Sequence, residues 1–425
     1  MTDTIFALSS GPPPAAIAVV RLSGPGAARA VKGLSGDIPP PRKASVRTLR
    51  DHQNDGAELD QALVLWFPAP ASATGEDCAE LHCHGGRAVV AAVLGALASM
   101  DGLRAAEPGE FTRRAFANGR IDLAQAEALG DLLAAETELQ RRVAQAGVGG
   151  ALSSEVAGWR DEVLTLSAMV EAVLDFSDED DVTALPDSFA IRRAALRESI
   201  AARLAQPRGE RLRDGLRVVL AGPPNAGKSS LFNVLIGEGA AIVSALPGTT
   251  RDVIERPVAL GGIPFVIADT AGLREEDAGE IEAVGIARAR EEMVRADIVL
   301  WLGPEAERPA GAIDIQPRCD DPRAPVKSAP DHVVSSVTGA GVGNLVDDLV
   351  RRAGDLLPPP GAAAVNARQA GLLRQAVTAL AEDSGDPLIL GESLRSARRA
   401  FDDLLGHSGT EDMLDALFGR FCIGK

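Results

Sequence analysis

The stretch Gly222-Pro223-Pro224-Asn225-Ala226-Gly227-Lys228-Ser229 decides the fold of its part of the chain, because it matches the pattern G-x-x-x-x-G-K-[ST]. Its glycines let the backbone curl so that successive N–H groups face a phosphate, while the lysine reaches the terminal phosphates and the final hydroxyl ligates Mg²⁺. An apolar strand precedes it at 217–221, and a helix predicted at 230–236 presents its positive N-terminus to the anion. We predict a phosphate-binding loop with contacts from Asn225, Ala226, Gly227, Lys228, Ser229 and Ser230.

A second phosphate-side motif, Asp269-Thr270-Ala271-Gly272, directly follows the apolar stretch 264–268. An aspartate at this point holds Mg²⁺ through water, and the Gly272 N–H meets the γ-phosphate. The alternative is an ordinary turn at a strand end. Between the two motifs, the stretch 248–252 (GTTRD) offers hydroxyls, and Thr250 is the predicted second protein ligand of Mg²⁺.

Base recognition is predicted at Pro317-Arg318-Cys319-Asp320. GTPases with a phosphate-binding loop usually have Asn-Lys-x-Asp at this position. A carboxylate such as Asp320 accepts the N1 and N2 hydrogens of guanine. Arg318 can stack on the base, but Pro317 cannot make the side-chain hydrogen bonds of asparagine. The later segment 334–339 (VSSVTG) resembles a second base-contacting loop, with predicted contacts from Ser335, Ser336 and Val337.

Composition restricts the class of protein. A chain of 425 residues holds two to four domains, at roughly 100–200 residues each. The formal net charge of −17 argues against a protein that grips nucleic acid through bulk positive charge, although it does not exclude a local basic patch. Four cysteines form no disulfide framework at this length. No apolar run is long enough to cross a membrane and no signal peptide is evident, so we expect a cytoplasmic protein.

The order of patterns predicts a multidomain α/β plus all-α chain. Residues 1–117 read as a mixed β/α domain, with strands at 15–22 and 63–67 and a helix at 87–100. Residues 118–213 and 356–425 read as two segments of one helical domain, and a P-loop (Ras-like) α/β domain at 214–355 is inserted between them. Asp187 is the predicted N-cap of a helix that runs to about Leu204.

Further motifs across the chain resemble the MnmE (TrmE) family of tRNA-modification GTPases, within the TrmE/Era-like P-loop GTPases. The resemblance covers nearly the whole length. The matching segments are Leu8-Ser9-Ser10-Gly11-Pro12, Val20-Arg21-Leu22-Ser23-Gly24, Thr74-Gly75-Glu76-Asp77, Glu80, His84-Gly85-Gly86, Pro108-Gly109-Glu110-Phe111-Thr112, Leu123-Ala124-Gln125-Ala126-Glu127 and Cys422-Ile423-Gly424-Lys425.

The resemblance implies an N-terminal domain that dimerises and binds 5-formyl- or 5,10-methylene-tetrahydrofolate. It also implies a GTPase that binds GTP with Mg²⁺ and is stimulated by K⁺ when two copies meet. The implied partner is a flavin (FAD) protein of the MnmG (GidA) type, which forms a heterotetramer with the homodimer. Together they are expected to modify C5 of the wobble uridine of certain tRNAs.

Many small GTPases place a water-orienting glutamine at the position that Leu273 occupies in this chain. Because leucine cannot orient water, the transition-state charge must be stabilised by another group. The resemblance implies a potassium site formed by Asn225 and the segment Ser244, Ala245, Leu246, Pro247, Gly248 and Thr249, with Ser244, Leu246 and Thr249 as ligands. Alternatively, Asn225 stabilises the loop. Glu282 resembles the acidic residue that positions the catalytic water, and Lys228 is the other predicted catalytic residue of this domain. The alternative for Glu282 is a solvated acidic helix face.

For folate the resemblance indicates Arg21, Glu80, Arg120 and Lys425. A carboxylate suits the donor edge of a pterin, and cations suit the glutamate tail, although such residues are often plain surface charges. Cys422 is a third predicted catalytic residue, as a thiol that assists one-carbon chemistry; the alternative is a thiol that is sensitive to redox. A prenylation site is disfavoured by Gly424 and Lys425.

Three further patterns leave alternatives open. The group Cys78, His82, Cys83 and His84 superficially resembles a zinc cluster, but alternation along a strand separates its side chains and a second cysteine pair is missing. A basic stretch could contact RNA, the MnmG-like partner or only the acidic residues of its own domain. It comprises Arg192, Arg193, Arg197, Arg203, Arg208, Arg211 and Arg213. For the chain as a whole, the alternatives are a GTP-driven switch in ribosome or RNA assembly and a folate-dependent methyltransferase with a decayed nucleotide domain.

Overall fold

The computed structural model describes residues 3–51, 55–175, 185–241, 254–269, 290–408, 411–419 and 421–424. The chain divides into two compact units, one formed by Met1–Gly130 with Asp402–Lys425 and the other by Asp131–Phe401. The domain boundaries predicted from the sequence remain predictions.

The first unit contains a mixed sheet formed by Thr4–Leu8 (β1), Ile17–Ser23 (β2), Ser45–Asp51 (β3), Ala57–Phe67 (β4), Cys78–His84 (β5) and Leu103–Ala105 (β6). The strand order is β3-β4-β5-β2-β1-β6. β1 is antiparallel to β2 and parallel to β6. Helices Ala27–Ser35 (α1) and Arg87–Ala98 (α2) contribute Val31 and Val93 to a core shared with the sheet.

The C-terminal segment completes this unit. Its helix Glu411–Phe418 (α13) packs near Glu110–Ala117 (α3) and Leu123–Ala134 (α4). The ring of Phe418 lies 6.1 Å from that of Phe116 and 6.1 Å from that of Phe421, in tilted aromatic pairs. The contact of Phe418 with Phe116 joins residues about 300 positions apart in sequence.

The second unit begins with helices. In Ala151–Asp175 the buried residues recur at alternating spacings of four and three, so a single apolar stripe faces the neighbouring helices; they are Leu152, Val156, Trp159, Val163, Leu166, Val170 and Val173. Asp187 is the first residue of its helix and Pro186 occupies the N-cap, so the predicted cap is wrong. Proline fits there because a cap needs no N–H donor. The helices are Glu138–Val148 (α5), Ala151–Asp175 (α6), Asp187–Leu204 (α7), Gly209–Asp214 (α8), Ala367–Leu380 (α11) and Pro387–Leu405 (α12).

The α/β part of this unit is built on a sheet formed by Leu216–Ala221 (β7), Ala240–Ala241 (β8), Ile254–Leu260 (β9), Ile263–Asp269 (β10), Ile298–Trp301 (β11), Ile313–Gln316 (β12) and His332–Val333 (β13). The strand order is β13-β12-β11-β7-β10-β9-β8. Strand β7 is buried along nearly its whole length between β11 and β10, both parallel to it, which accounts for its apolar run at 218–221. Helices Lys228–Glu238 (α9) and Val342–Leu356 (α10) share its core.

The multidomain α/β plus all-α fold class is confirmed. Among the described residues, no helix has both the length and the apolar sequence that a membrane crossing requires.

Candidate nucleotide and ligand sites

The phosphate loop lies at the carboxyl end of β7, where the strand order of the sheet turns from one side to the other. Gly222 (φ +144°) and Gly227 (φ +98°) adopt backbone conformations that favour glycine. At Gly222 a Cβ would lie 2.9 Å from the Gly303 nitrogen, so the backbones approach too closely for a side chain. Helix α9 begins directly at Lys228 and directs its N-terminus at the loop.

The side chain of Lys228 is held against the backbone of this loop. It is 6% exposed, and its Nζ donates to the carbonyl oxygens of Gly222 at 2.9 Å and Pro223 at 2.8 Å. A cation in this position can bind phosphate as a point charge. The next residue, Ser229, is exposed in the first turn of the helix, where its hydroxyl is available as an oxygen ligand.

Asp269 lies at the same edge of the sheet as the phosphate loop. It ends β10, is 3% exposed, and is paired in register with Leu220 of the adjacent parallel strand. Leu220 is followed two residues later by Gly222. A carboxylate and the Ser229 hydroxyl at one strand edge form a donor set that suits Mg²⁺, so the described residues fit this ion.

The predicted base loop contacts the phosphate loop through Arg318. Its Nη2 donates to the carbonyl oxygen of Asn225 at 2.7 Å, and both residues have left-handed backbones, with φ of 55° and 60°. The carboxamide of Asn225 makes no hydrogen bond to any described residue. The alternative role of Asn225, stabilisation of the loop, therefore rests on its left-handed backbone, a conformation that asparagine tolerates. Asp320 is exposed on the same loop.

Ser335 is fully buried after β13 and shapes the second predicted base-contacting segment. Its hydroxyl accepts from the backbone N–H groups of Val337 at 3.2 Å and Thr338 at 3.1 Å. The Cys319 N–H donates to the Val334 carbonyl at 3.2 Å, which joins the two segments. The structure therefore brings Asp320 and Ser335 into neighbouring loops at the edge that carries the phosphate loop.

Several predicted site residues lie outside the described part of the chain. In the nucleotide domain they are Ser244, Ala245, Leu246, Pro247, Gly248, Thr249, Thr250, Thr270, Ala271, Gly272 and Glu282, and in the folate set Lys425. Of the predicted potassium ligands, only Asn225 is therefore described.

In the first unit, Arg21 and Glu80 form a cross-strand ion pair. They lie directly opposite each other on β2 and β5, with Nη2 of Arg21 2.9 Å from Oε1 of Glu80. His82 Nε2 lies 3.1 Å from the other carboxylate oxygen. Burial acts to raise the pKa of Glu80, but hydrogen bonds from His82 and Arg21 hold it below its ordinary value. Glu80 is thus an ionised acceptor whose oxygens already have partners.

This ion pair lines a cavity of about 320 Å³ with further cations. Arg120 belongs to the lining and makes no ion pair with a described residue; its side chain packs beside Gly75, with Cγ 3.2 Å from a Cβ built there. The cavity therefore brings together three of the predicted folate residues, Arg21, Glu80 and Arg120. A carboxylate and several guanidinium groups fit the donor edge and the acidic tail of a reduced folate.

Two lining residues were missed by the sequence reasoning. Arg42 has a left-handed backbone (φ 59°), its guanidinium lies 5.8 Å from the centre of the Phe67 ring, and its Nη2 donates to the Ala71 carbonyl. No described carboxylate pairs with it. Strand β4 ends at Phe67 in the aromatic-rich sequence Leu-Trp-Phe, but no local pattern places Arg42 over it.

Cys422 is exposed on a tail whose neighbours are anchored to the first unit. The Ser9 hydroxyl donates to the Gly424 carbonyl at 2.8 Å. Gly424 has φ +91°, and a Cβ there would lie 2.2 Å from the Leu8 carbonyl oxygen, so the tail follows the end of β1 closely. The thiol thus lies between the buried residues Phe421 and Gly424.

The other patterns have structural partners. His84 Nδ1 lies 2.7 Å from Asp60 Oδ1, and His82 bonds to Glu80; among the described residues no group of histidine, cysteine and acidic side chains could hold a metal. In the basic stretch, five arginines pair with acidic residues, namely Arg192 with Glu162, Arg193 with Asp383, Arg203 with Glu155, Arg211 with Asp297 and Arg213 with Asp214. Of the three alternatives for that stretch, these pairs favour binding to acidic residues of its own unit.

Comparison with known proteins gives matches over the whole chain. The family model described as "GTP-binding protein TrmE N-terminus" matches residues 4–120, and the one described as "MnmE helical domain" matches 123–422. The chain is 60% identical over 425 residues to "tRNA modification GTPase MnmE" of Erythrobacter litoralis, covering 100% of each chain. It is 57% identical over 438 residues to the protein of that name from Novosphingobium aromaticivorans, again covering 100% of each.

Among solved structures, the G domain of the T. maritima FeoB iron transporter is 24% identical, with a TM-score of 0.24, and the match covers 32% of this chain and 98% of that domain. The phosphate loop, the strand-end aspartate and the sheet around them define the class of P-loop GTP hydrolases. Together with the full-length matches, they place the chain more narrowly. It belongs to the family of the tRNA modification GTPase MnmE.

Proposed function

We propose that the chain is a potassium-stimulated GTPase that takes part in tRNA modification in the cytoplasm. With a flavin partner of the MnmG (GidA) type, it installs a carboxymethylaminomethyl or aminomethyl group at C5 of the wobble uridine of certain tRNAs. A tetrahydrofolate, in the 5-formyl or 5,10-methylene form, supplies the one-carbon unit, and glycine or ammonium supplies the amino nitrogen of the product. The observation that carries the proposal is one chain with both a phosphate loop and a cavity lined by Arg21, Glu80 and Arg120.

At the nucleotide, Lys228 neutralises phosphate charge from its place against the loop backbone. Ser229 and Asp269 hold Mg²⁺, which when bound neutralises charge that develops on the phosphates. Asn225 offers its carboxamide oxygen to K⁺, and Asp320 accepts hydrogen bonds from guanine. Glu282 and Thr250 complete the proposed site as the water-positioning residue and the second Mg²⁺ ligand.

At the cavity, the cationic lining binds the acidic tail of the folate, with Arg120 and Lys425 as tail ligands and Glu80 facing the pterin. Because Glu80 is already paired with Arg21, the pair has to open or to share its oxygens when the ligand binds. Cys422 is the proposed thiol of the one-carbon step. The chain acts as a homodimer, and this homodimer forms a heterotetramer with the flavin partner.

The experiment combines the purified chain, a flavin partner of this type, unmodified tRNA, GTP, 5,10-methylene-tetrahydrofolate and either glycine or ammonium as the nitrogen donor. Nucleoside mass spectrometry measures the modified uridine, and GTP hydrolysis is followed in K⁺ and in Na⁺ at equal ionic strength. We expect modified uridine only when folate and GTP are both present, and faster hydrolysis in K⁺. Hydrolysis without any folate-dependent product would favour the alternative, a GTP-driven switch in ribosome or RNA assembly.

A further inference from the structure

Strand β12 carries polar residues on a face that is buried. Its sequence is Ile313-Asp314-Ile315-Gln316. Ile313 and Ile315 lie in the hydrophobic core, while Asp314 is 0% and Gln316 6% exposed on the other face. Buried polar side chains are costly unless they are hydrogen-bonded, so both need partners nearby.

Gln316 finds its partners in the loop that follows it. Its Nε2 donates to the Pro317 carbonyl at 2.9 Å and to the Pro325 carbonyl at 2.9 Å. Its Oε1 accepts from the Lys327 N–H at 2.7 Å. One side chain thus uses both amide hydrogens and its oxygen to fix the beginning and the end of the segment 317–327.

Asp314 anchors the same segment from the same face of the strand. Residues two apart on a strand point to one side, and Lys327 Nζ bonds to Asp314 Oδ1. The ammonium also lies 3.4 Å from the Trp301 carbonyl oxygen. Lys327 is therefore held twice, through its backbone by Gln316 and through its side chain by Asp314.

The held segment is the one that presents Asp320. Asp320 is exposed near its beginning, Arg318 reaches the phosphate loop, and Pro317 has no side-chain donor or acceptor with which to hold the loop. We propose that Gln316 is the positioning residue of base recognition in this chain. It fixes both ends of the loop through three side-chain hydrogen bonds, whereas the side chain of Pro317 can make none. The inference rests on the proposed recognition of guanine by Asp320.

The test is the ratio of affinities for GDP and IDP, because inosine lacks the 2-amino group and reports one of the two hydrogen bonds to Asp320. A hydrogen bond to a charged group makes roughly a tenfold or larger difference in affinity. In Gln316→Glu, the side chain keeps its size and acceptor but loses the two donated bonds. Gln316→Met removes all three hydrogen bonds without adding charge. It is the second test variant and replaces Gln316→Glu if that variant does not fold.

The matched control is Gln206→Glu. Gln206 is exposed and its Oε1 accepts from Arg203 Nη1 at 2.8 Å, a bond that a carboxylate keeps. We expect the GDP:IDP ratio to fall severalfold in the Gln316 variants and to stay at the wild-type value in the control. A general loss of structure would weaken both nucleotides equally, so the ratio separates positioning from stability.

Two different results would overturn the proposal that Gln316 positions the base loop. One result is that the Gln316 variants keep the wild-type ratio of GDP to IDP affinity while Asp320→Ala loses the preference for GDP. In that case Asp320 recognises the base without positioning by Gln316. If the wild-type ratio itself is close to one, Asp320 does not read the 2-amino group, and the proposed guanine recognition fails together with this inference.

Discussion

The guanidinium of Arg318 bonds to the carbonyl oxygen of Asn225 at 2.7 Å and so joins the predicted base loop to the phosphate loop. Both residues have left-handed backbones, with φ of 55° at Arg318 and 60° at Asn225. A Cβ built on Gly227 would lie 3.9 Å from Arg318 Nε, so the arginine lies beside the turn that leads into helix α9. The phosphate loop and the predicted base loop are therefore linked by a direct hydrogen bond.

Replacing Arg318 by alanine should weaken nucleotide binding without unfolding the sheet. The lost bond has a charged donor but an exposed setting, so we expect about 1 kcal/mol, or roughly fivefold in affinity for GDP. Fluorescent-nucleotide titration measures it. Arg323→Ala is the control, because Arg323 is exposed in the same loop and its side chain contacts no described partner. Equal affinities for the two variants would contradict a linking function for Arg318.

Asn225 can be tested with two substitutions that separate its side chain from its backbone. Glycine keeps the left-handed conformation, whereas alanine adds roughly 1 kcal/mol of strain there. If the carboxamide ligates K⁺, both Asn225→Gly and Asn225→Ala should lose the stimulation of GTP hydrolysis by K⁺ over Na⁺. Steady-state rates at equal ionic strength measure this. Stimulation that survives in Asn225→Gly would show that asparagine is needed only for its backbone.

Arg42 should contribute to binding of an acidic ligand in the N-terminal cavity. Its guanidinium is fixed over Phe67 and lacks a described carboxylate partner. We expect Arg42→Ala to reduce affinity for a reduced folate about fivefold or more, and to reduce it less for the pteroate analogue that lacks the glutamate tail. Isothermal titration calorimetry measures both ligands. Arg47→Ala on β3 is the control, since that exposed guanidinium bonds only to the Val46 carbonyl among the described residues.

The phosphate loop could be predicted because its signal is local. A buried apolar strand, two glycines with positive φ and a lysine at the first helical position lie within a dozen or so consecutive residues. The observed helix, Lys228–Glu238, begins two residues earlier than predicted, because Lys228 and Ser229 already have helical geometry. Asp269 could be placed for the same reason, as the last residue of an apolar strand.

The remaining site features depend on contacts that no local pattern contains. The pairing of Arg21 with Glu80 follows from the register of β2 and β5, across 59 positions. Asp314 and Gln316 alternate with isoleucines along β12, and the segment 317–327 covers their face, a contact that the local alternation does not contain. The arginines of helix α7 read as a basic surface in sequence, and acidic partners such as Glu162 and Asp383 become visible only after folding.

Asp348 on helix α10 gives the structure a pH dependence that can be measured. Burial acts to raise the pKa of Asp348, but hydrogen bonds from His332, Arg352 and Arg351 lower it from 3.8 to about 2. A carboxyl whose pKa is lower in the folded state stabilises the fold fully above its unfolded pKa. That contribution is lost as pH falls from about 4 through 2.

Asp348→Asn should therefore lower the free energy of unfolding near pH 7 by roughly 1–2 kcal/mol, allowing for screening at a partly open surface. It should also flatten the loss of stability between pH 4 and pH 2, because the titrating group is gone. Trp301 lies in the same sheet and is 9% exposed, so its fluorescence can follow urea unfolding once Trp66 and Trp159 are replaced by phenylalanine. Asp347→Asn is the control, since Asp347 is exposed on the same helix. If Asp348→Asn and Asp347→Asn have the same free energy of unfolding at pH 7 and at pH 3, the hydrogen bonds of Asp348 with His332, Arg351 and Arg352 do not stabilise the fold.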